Sequence, residues 1–175
     1  MKIDVSSLHV DKESSITGEK QLEYSGRTVV EDEIKLAGPV DFSYELTSPA
    51  DRLIELDGNY RTLLRIPCSR CLASLKVVLQ RKLRGLFLPD DYQGEEPELR
   101  EGQYRLTYNK KEIDTWELLR QDFIVSLPMR PLCSEDCRGL CKICGQNLNE
   151  DLCGHDQEGS KVDPRLEKLK DIELD

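Results

Sequence analysis

Apolar and polar residues begin to alternate strictly after a polar, weakly patterned stretch of about thirty residues. Val40, Phe42, Tyr44 and Leu46 interleave with Asp41, Ser43 and Glu45. This period of two lays one side of a strand on a core and the other in water. Residues 53–56 and 60–66 predict two more strands. Asp57-Gly58-Asn59 between them predicts a tight hairpin turn, since these residue types tolerate positive φ. From Leu75 through Val77, Leu79 and Leu83 to Phe87 the apolar positions keep one parity, which predicts a further long strand.

Residues 88–103 carry Pro89, Asp90, Asp91, Gly94, Glu95, Glu96, Pro97 and Glu98, an acidic, turn-rich composition with little to bury that predicts a mobile loop. A short strand over 104–108 follows, then a helix. Asp114 or Thr115 supplies its cap, Trp116, Leu119, Phe123 and Leu127 recur along one side, and Pro128 stops it. The fold expected is α+β, a mainly antiparallel β-sheet with one principal helix and a C-terminal Cys-rich zinc-knuckle module. The expected divisions are a β-rich domain over 1–132, a Cys-rich metal-binding module over 133–155, and an acidic tail over 156–175. Pro164, Leu166, Leu169 and Ile172 predict a short helix in that tail.

A length of 175 residues is one domain's worth, or one domain with a small appendage. The charge of −9, from 25 basic against 34 acidic residues, argues against a protein that coats nucleic acid indiscriminately. No apolar run approaches the roughly 18 residues of a membrane span, and Met1-Lys2-Ile3-Asp4-Val5 lacks a signal peptide's hydrophobic stretch. A cytoplasmic location is the expectation.

Seven cysteines then meet a reducing compartment, where metal ligation or catalysis is commoner than disulfides. Cys68-Ser69-Arg70-Cys71 and Cys141-Lys142-Ile143-Cys144 have the two-residue gap that aims two thiolates at one ion, and Gly145 after the second supplies positive φ. Cys133 with Cys137, and Cys153 with His155, complete eight candidate ligands. Structural zinc takes four. The preferred partition joins Cys68 and Cys71 to Cys133 and Cys137, leaving Cys141, Cys144, Cys153 and His155 as a local second site. A single site built from the two CxxC pairs, or no metal at all, stays open. A thioredoxin-like redox pair needs a helix after its CxxC, whereas the residues after Cys71 alternate as a strand.

Arg61, Arg65, Arg70, Lys76, Arg81, Lys82 and Arg84 fall in an interval without Asp or Glu. A basic strand face of this kind suits phosphate contact, and equally a solvated sheet face. Aromatic residues for base stacking are nearly absent there. No HExxH, GxxxxGK[ST] or GxGxxG pattern occurs, and two histidines leave little scope for acid–base catalysis. A non-enzymatic protein is expected.

The segment Pro67-Cys68-Ser69-Arg70-Cys71-Leu72, with the run from Leu127-Pro128-Met129-Arg130-Pro131-Leu132-Cys133 through Cys137-Arg138-Gly139-Leu140-Cys141-Lys142-Ile143-Cys144-Gly145 to Asn149, resembles the bacterial and plastid YceD family. The family's cysteine positions carry over onto Cys68, Cys71, Cys133, Cys137, Cys141, Cys144 and Cys153. The last ligand departs from the family's common Cys-x-Cys ending, because Gly154 is followed by His155. The resemblance implies a ribosome biogenesis factor that supports accumulation of large-subunit ribosomal RNA, with no known catalytic step. The reading is a zinc-stabilised platform contacting precursor rRNA or a ribosomal protein. Its rivals are an acidic adaptor for a basic ribosomal protein and a CxxC thiol redox protein.

Overall fold

The structure, a computed structural model, describes residues 2–9, 15–23, 27–30, 34–49, 52–109 and 111–155. In chain order these form β1 (Lys2–Asp4), a 3-10 turn (Ser6–His9), β2 (Ser15–Leu22), β3 (Thr28–Val30), β4 (Ile34–Thr47), β5 (Ile54–Pro67), β6 (Ser74–Pro89), β7 (Gln103–Tyr108), β8 (Glu112–Asp114) and α1 (Thr115–Val125). β2, β4, β5 and β6 pair antiparallel in that order. β7 adds parallel to β6, and β3 pairs with the start of β4. β1 and β8 form a separate antiparallel ribbon. The α+β class expected from the pattern is the one observed.

One face of the sheet carries the core. Val40, Phe42, Tyr44 and Leu46 of β4 lie buried beside Leu56, Tyr60 and Leu64 of β5 and Leu79, Leu83 and Phe87 of β6. α1 closes over this face. Asp114 caps it, its carboxylate accepting from the Trp116 amide at 2.9 Å, and the helix ends at the Ser126 cap, two residues before Pro128. Leu119 and Phe123 of the predicted stripe are fully buried, Trp116 and Leu127 partly so. The Phe123 ring meets Tyr60 edge-on at 5.1 Å, an arrangement favoured by the ring quadrupoles. Asp122, one residue away and 4% exposed, accepts from the Tyr60 hydroxyl, from Tyr104 at 2.9 Å and from Ser126 at 3.2 Å. A buried carboxylate is tolerated here because its oxygens are satisfied.

The structure corrects the sequence reading at residues 57–59. No hairpin turn occurs there, and β5 runs unbroken from Ile54 to Pro67. Gly58 pairs with Tyr44 on one side and Leu83 on the other. A Cβ at Gly58 would lie 2.8 Å from the Ser43 carbonyl oxygen and 2.9 Å from the Phe42 ring. The glycine therefore admits a close neighbour, while Asp57 and Asn59 face water. Pairing along both edges of a 14-residue strand outweighs a three-residue turn preference.

The early chain is more ordered than its weak pattern suggested. β2 alternates between exposed and half-buried positions only, as an edge strand does, so its periodicity is faint. Residues 90–102, inside the acidic stretch, have no regular structure and cross between the parallel strands β6 and β7. The helix expected after Pro164 lies outside the described residues. Among the described residues no helix is long and apolar enough to cross a membrane.

Candidate metal centres

The two CxxC segments fold into the same knuckle. In the first, the Cys68 amide donates to the Ala73 carbonyl at 2.8 Å, the Leu72 amide returns to the Cys68 carbonyl at 3.0 Å, and the Arg70 amide points at the Cys68 sulfur at 3.5 Å. In the second, Cys141 donates to Gln146 at 2.8 Å, Gly145 returns to Cys141 at 2.9 Å, and the Ile143 amide points at the Cys141 sulfur at 3.4 Å. Two segments far apart in the chain thus hold a cysteine sulfur against backbone donors in one pattern. Such amides stabilise a thiolate and orient it. The turn needs a left-handed residue after the second cysteine. Gly145 has φ +74° and Leu72 φ +60°, so the first knuckle carries a strained leucine where the second has glycine.

Each knuckle meets a second pair of ligands. Cys68, Cys71, Cys133 and Cys137 form one group, and Cys141, Cys144, Cys153 and His155 another, with all ligand atoms of a group within 4.8 Å of one another. The first knuckle is the turn between β5 and β6. The Ser69 amide binds the Pro131 carbonyl at 2.8 Å, which brings the segment after α1 alongside it. The second group closes within residues 141–155, a short loop that costs little entropy to form.

Separations decide between a disulfide and a shared ion. The Cys68 and Cys137 sulfurs lie 3.8 Å apart and those of Cys71 and Cys133 3.6 Å apart. A disulfide needs about 2.05 Å. The edge of a tetrahedron with zinc–sulfur bonds near 2.3 Å is about 3.8 Å. These two edges of the first group thus match a tetrahedral arrangement of sulfurs, and its four cysteines could hold a metal ion. The second is looser, its Cys141 sulfur 4.0 Å from the His155 Nδ1, and its Cys₃His donor set is also one that zinc takes. Burial differs as well. Cys68, Cys71 and Cys137 are buried with Ala73, Leu75, Leu132 and Leu140 around them, whereas Cys144 is exposed and Cys153 half-buried.

The acidities follow from this crowding. Amides of Cys71 and Arg70 bring the Cys68 thiol down to about 6, and amides of Cys144 and Ile143 bring Cys141 to about 6. Cys71 receives an amide of Ala73, yet burial and the sulfurs of Cys68, Cys133 and Cys137 push it to about 12. In the first group Cys137 is lowered as well, against the cost of burial, by the Cys133 sulfur, the Gly139 amide and the Asn149 side chain. Four sulfurs so close favour a cation that removes their remaining protons.

The seven cations of the acid-free interval do not form one surface. Arg61, Arg65, Lys76, Lys82 and Arg84 point to the solvent face of β5 and β6, Arg84 bonded to Asp57 at 3.1 Å. Arg81 has core-face parity and its Nε reaches the buried Asp122 at 3.7 Å. Arg70 rides on the first knuckle and donates to the Cys137 carbonyl at 2.8 Å and the Glu135 carbonyl at 3.5 Å. Its charge braces the cysteine group. A concavity of about 840 Å³ lies away from the cysteines and is lined by both signs, including Glu19, Asp41, Arg61 and Lys82.

Asn149 was not among the candidates. Its side-chain amide donates to the Cys137 sulfur at 3.4 Å, and its oxygen accepts from the Arg138 amide at 2.8 Å. An asparagine between cysteines carries no distinctive spacing, so only the folded loop exposes the contact. Gly139 also escaped notice. Its φ is +77°, and a Cβ would stand 3.1 Å from the Arg70 carbonyl oxygen.

The profile of the family described as large ribosomal RNA subunit accumulation protein YceD matches residues 56–173, a span that takes in both cysteine groups. An uncharacterized protein of Mycobacterium tuberculosis is 31% identical over 105 residues, 60% of this chain and 48% of that protein. The chloroplastic large ribosomal RNA subunit accumulation protein YCED homolog 1 of Zea mays is 27% identical over 137 residues, 63% of this chain and 46% of that protein. The chain spans about half the length of these curated relatives. No solved structure matches it.

Proposed function

Because the chain belongs to the YceD family, we propose that it is a cytoplasmic, non-enzymatic ribosome biogenesis factor. In this reading two zinc-filled centres rigidify a platform that contacts precursor large-subunit rRNA. The observation that carries the reading is the pair of matching knuckles, each completing a closed group of four donors. A centre whose four positions are all protein side chains leaves none for substrate water, so its work is architectural. Zinc would supply about 10–16 kcal/mol toward ordering such a peptide at neutral pH, comparable to or larger than a domain's net stability. Cys68, Cys71, Cys133 and Cys137 would rivet the β5–β6 turn to the segment after α1. Cys141, Cys144, Cys153 and His155 would fold the following loop.

Arg61, Arg65, Lys76, Lys82 and Arg84 supply the cations for phosphate contact. The first knuckle sits between two strands instead of opening a helix, which supports structure over thiol redox work. A second reading, an acidic adaptor for a basic ribosomal protein, is favoured by Glu19, Asp41 and Glu45 on the β2–β4 side of the same face and by the charge of −9.

Crosslinking of the tagged protein in cells tests the choice. Large-subunit precursor RNA attached within residues 61–84 supports the first reading. Adducts only to a ribosomal protein replace it with the second.

A further inference from the structure

Lys35, Arg65 and Lys76 stand directly opposite one another on β4, β5 and β6, all three exposed on the face away from the core. Neighbouring strands lie about 4.8 Å apart, so the three cations make a bar roughly 10 Å long across the sheet. Thr28 on β3 extends the row, paired with Lys35. Like charges directly opposite one another repel. Among the described residues none of these three has an acidic partner, whereas Arg81 and Arg84 of the same interval reach Asp122 and Asp57. Among the described residues, this row at one end of the sheet therefore has no ion-pair partner.

The surroundings define what fits it. The next row along is the apolar pair Leu63 and Val78, the latter 55% exposed. Farther along the face acids and cations share the rows, Asp41 beside Arg61, Glu19 in the row of Lys82, and Glu45 and Asp57 in the row of Arg84, so the row made of cations alone lies at this end. The bar itself offers only charged donors plus a threonine hydroxyl, and no aromatic ring lies in its rows. Such a site reads backbone phosphate and not bases. Arg65 lies three residues before Cys68 and Lys76 five after Cys71, so the first cysteine group fixes the turn from which both strands of the bar emerge.

We propose that Lys35, Arg65 and Lys76 form a phosphate-tracking bar that holds a single RNA strand across β4, β5 and β6. The proposal rests on the RNA reading of the family role and adds Lys35, which lies outside the basic interval of the sequence. Three consecutive cations take two or three successive phosphates.

Binding of the zinc-loaded full chain to a 20-nucleotide uridine RNA, followed by fluorescence anisotropy over a series of salt concentrations, tests this. For single strands the log–log salt slope is about −0.7 per phosphate contact. The triple variant K35A/R65A/K76A is expected to flatten the slope by about 2 and weaken binding at least tenfold at low salt. A charge-matched control, R52A/R100A/R105A, removes three arginines from surface ion pairs elsewhere and is expected to keep the wild-type slope. Circular dichroism and zinc content verify that both variants fold. RNA binding by wild type with identical slopes in the two variants overturns the bar and leaves the RNA reading standing. Absence of binding by wild type both to this RNA and to precursor rRNA overturns both. Binding of polyglutamate, and not RNA, through the same three residues overturns the bar in favour of an acidic protein partner.

Discussion

The Asn149 side-chain amide donates to the Cys137 sulfur at 3.4 Å, although the two residues serve different cysteine groups. Asn149 belongs to the loop between Cys144 and Cys153, and Cys137 belongs to the group built on Cys68 and Cys71. Partners of this kind typically change metal affinity by 10–100-fold when removed. Asn149→Ala is therefore expected to weaken zinc retention by the first group by about tenfold or more, measured by chelator competition. Unchanged release would show that the contact is incidental.

Leu72 holds φ +60° while 64% exposed. A left-handed conformation costs an ordinary residue about 1–2 kcal/mol, partly offset in a glycine by its greater freedom when unfolded. Leu72→Gly should raise stability by about 0.5–1 kcal/mol, and β-branched Leu72→Val should lower it by a similar amount. Urea denaturation of the zinc-loaded protein checks both signs.

Asp122 joins α1 to the sheet through Tyr60, Tyr104 and Arg81. Truncation leaves the buried Tyr60 hydroxyl without its acceptor. Asp122→Ala should cost about 2–4 kcal/mol, and Asp122→Asn, which keeps an acceptor oxygen, distinctly less. Equal losses for both would place the effect in packing.

The same network makes the fold sensitive to alkali. Burial, then the hydrogen bond and charge of Asp122, push Tyr104 up to about 12 and raise Tyr60 further. In the unfolded chain these phenols lose their protons near the ordinary tyrosine value of 10.0, while the folded protein keeps them. Unfolding then releases protons, so this contribution is complete below about pH 10 and is lost as pH rises toward 12 and beyond. Denaturation midpoints at pH 9 and pH 11 should differ in wild type and converge in the Tyr60→Phe, Tyr104→Phe double variant.

How far the sequence foretold this molecule depended on the range of the interaction. Val40 to Leu46 and Leu75 to Phe87 announced their strands because alternation is local. The stripe through Leu119 and Phe123 announced α1 for the same reason. Gly58 misled, since its role is set by the Phe42 ring on a neighbouring strand. The eight cysteine and histidine positions stood out by spacing, and the folded chain gathers them in the partition preferred from the sequence. Arg70 and Arg81 could not be told from Arg65 by composition. Only the register shows that the first braces carbonyls, the second faces Asp122, and the third is left to solvent.

Metal content of freshly purified, reduced protein tests the central claim most directly. Two zinc equivalents per chain are expected, falling to one in Cys144→Ser, with protease sensitivity appearing over residues 133–155 in that variant. A metal-free protein that remains folded and protease-resistant throughout that segment would contradict the account.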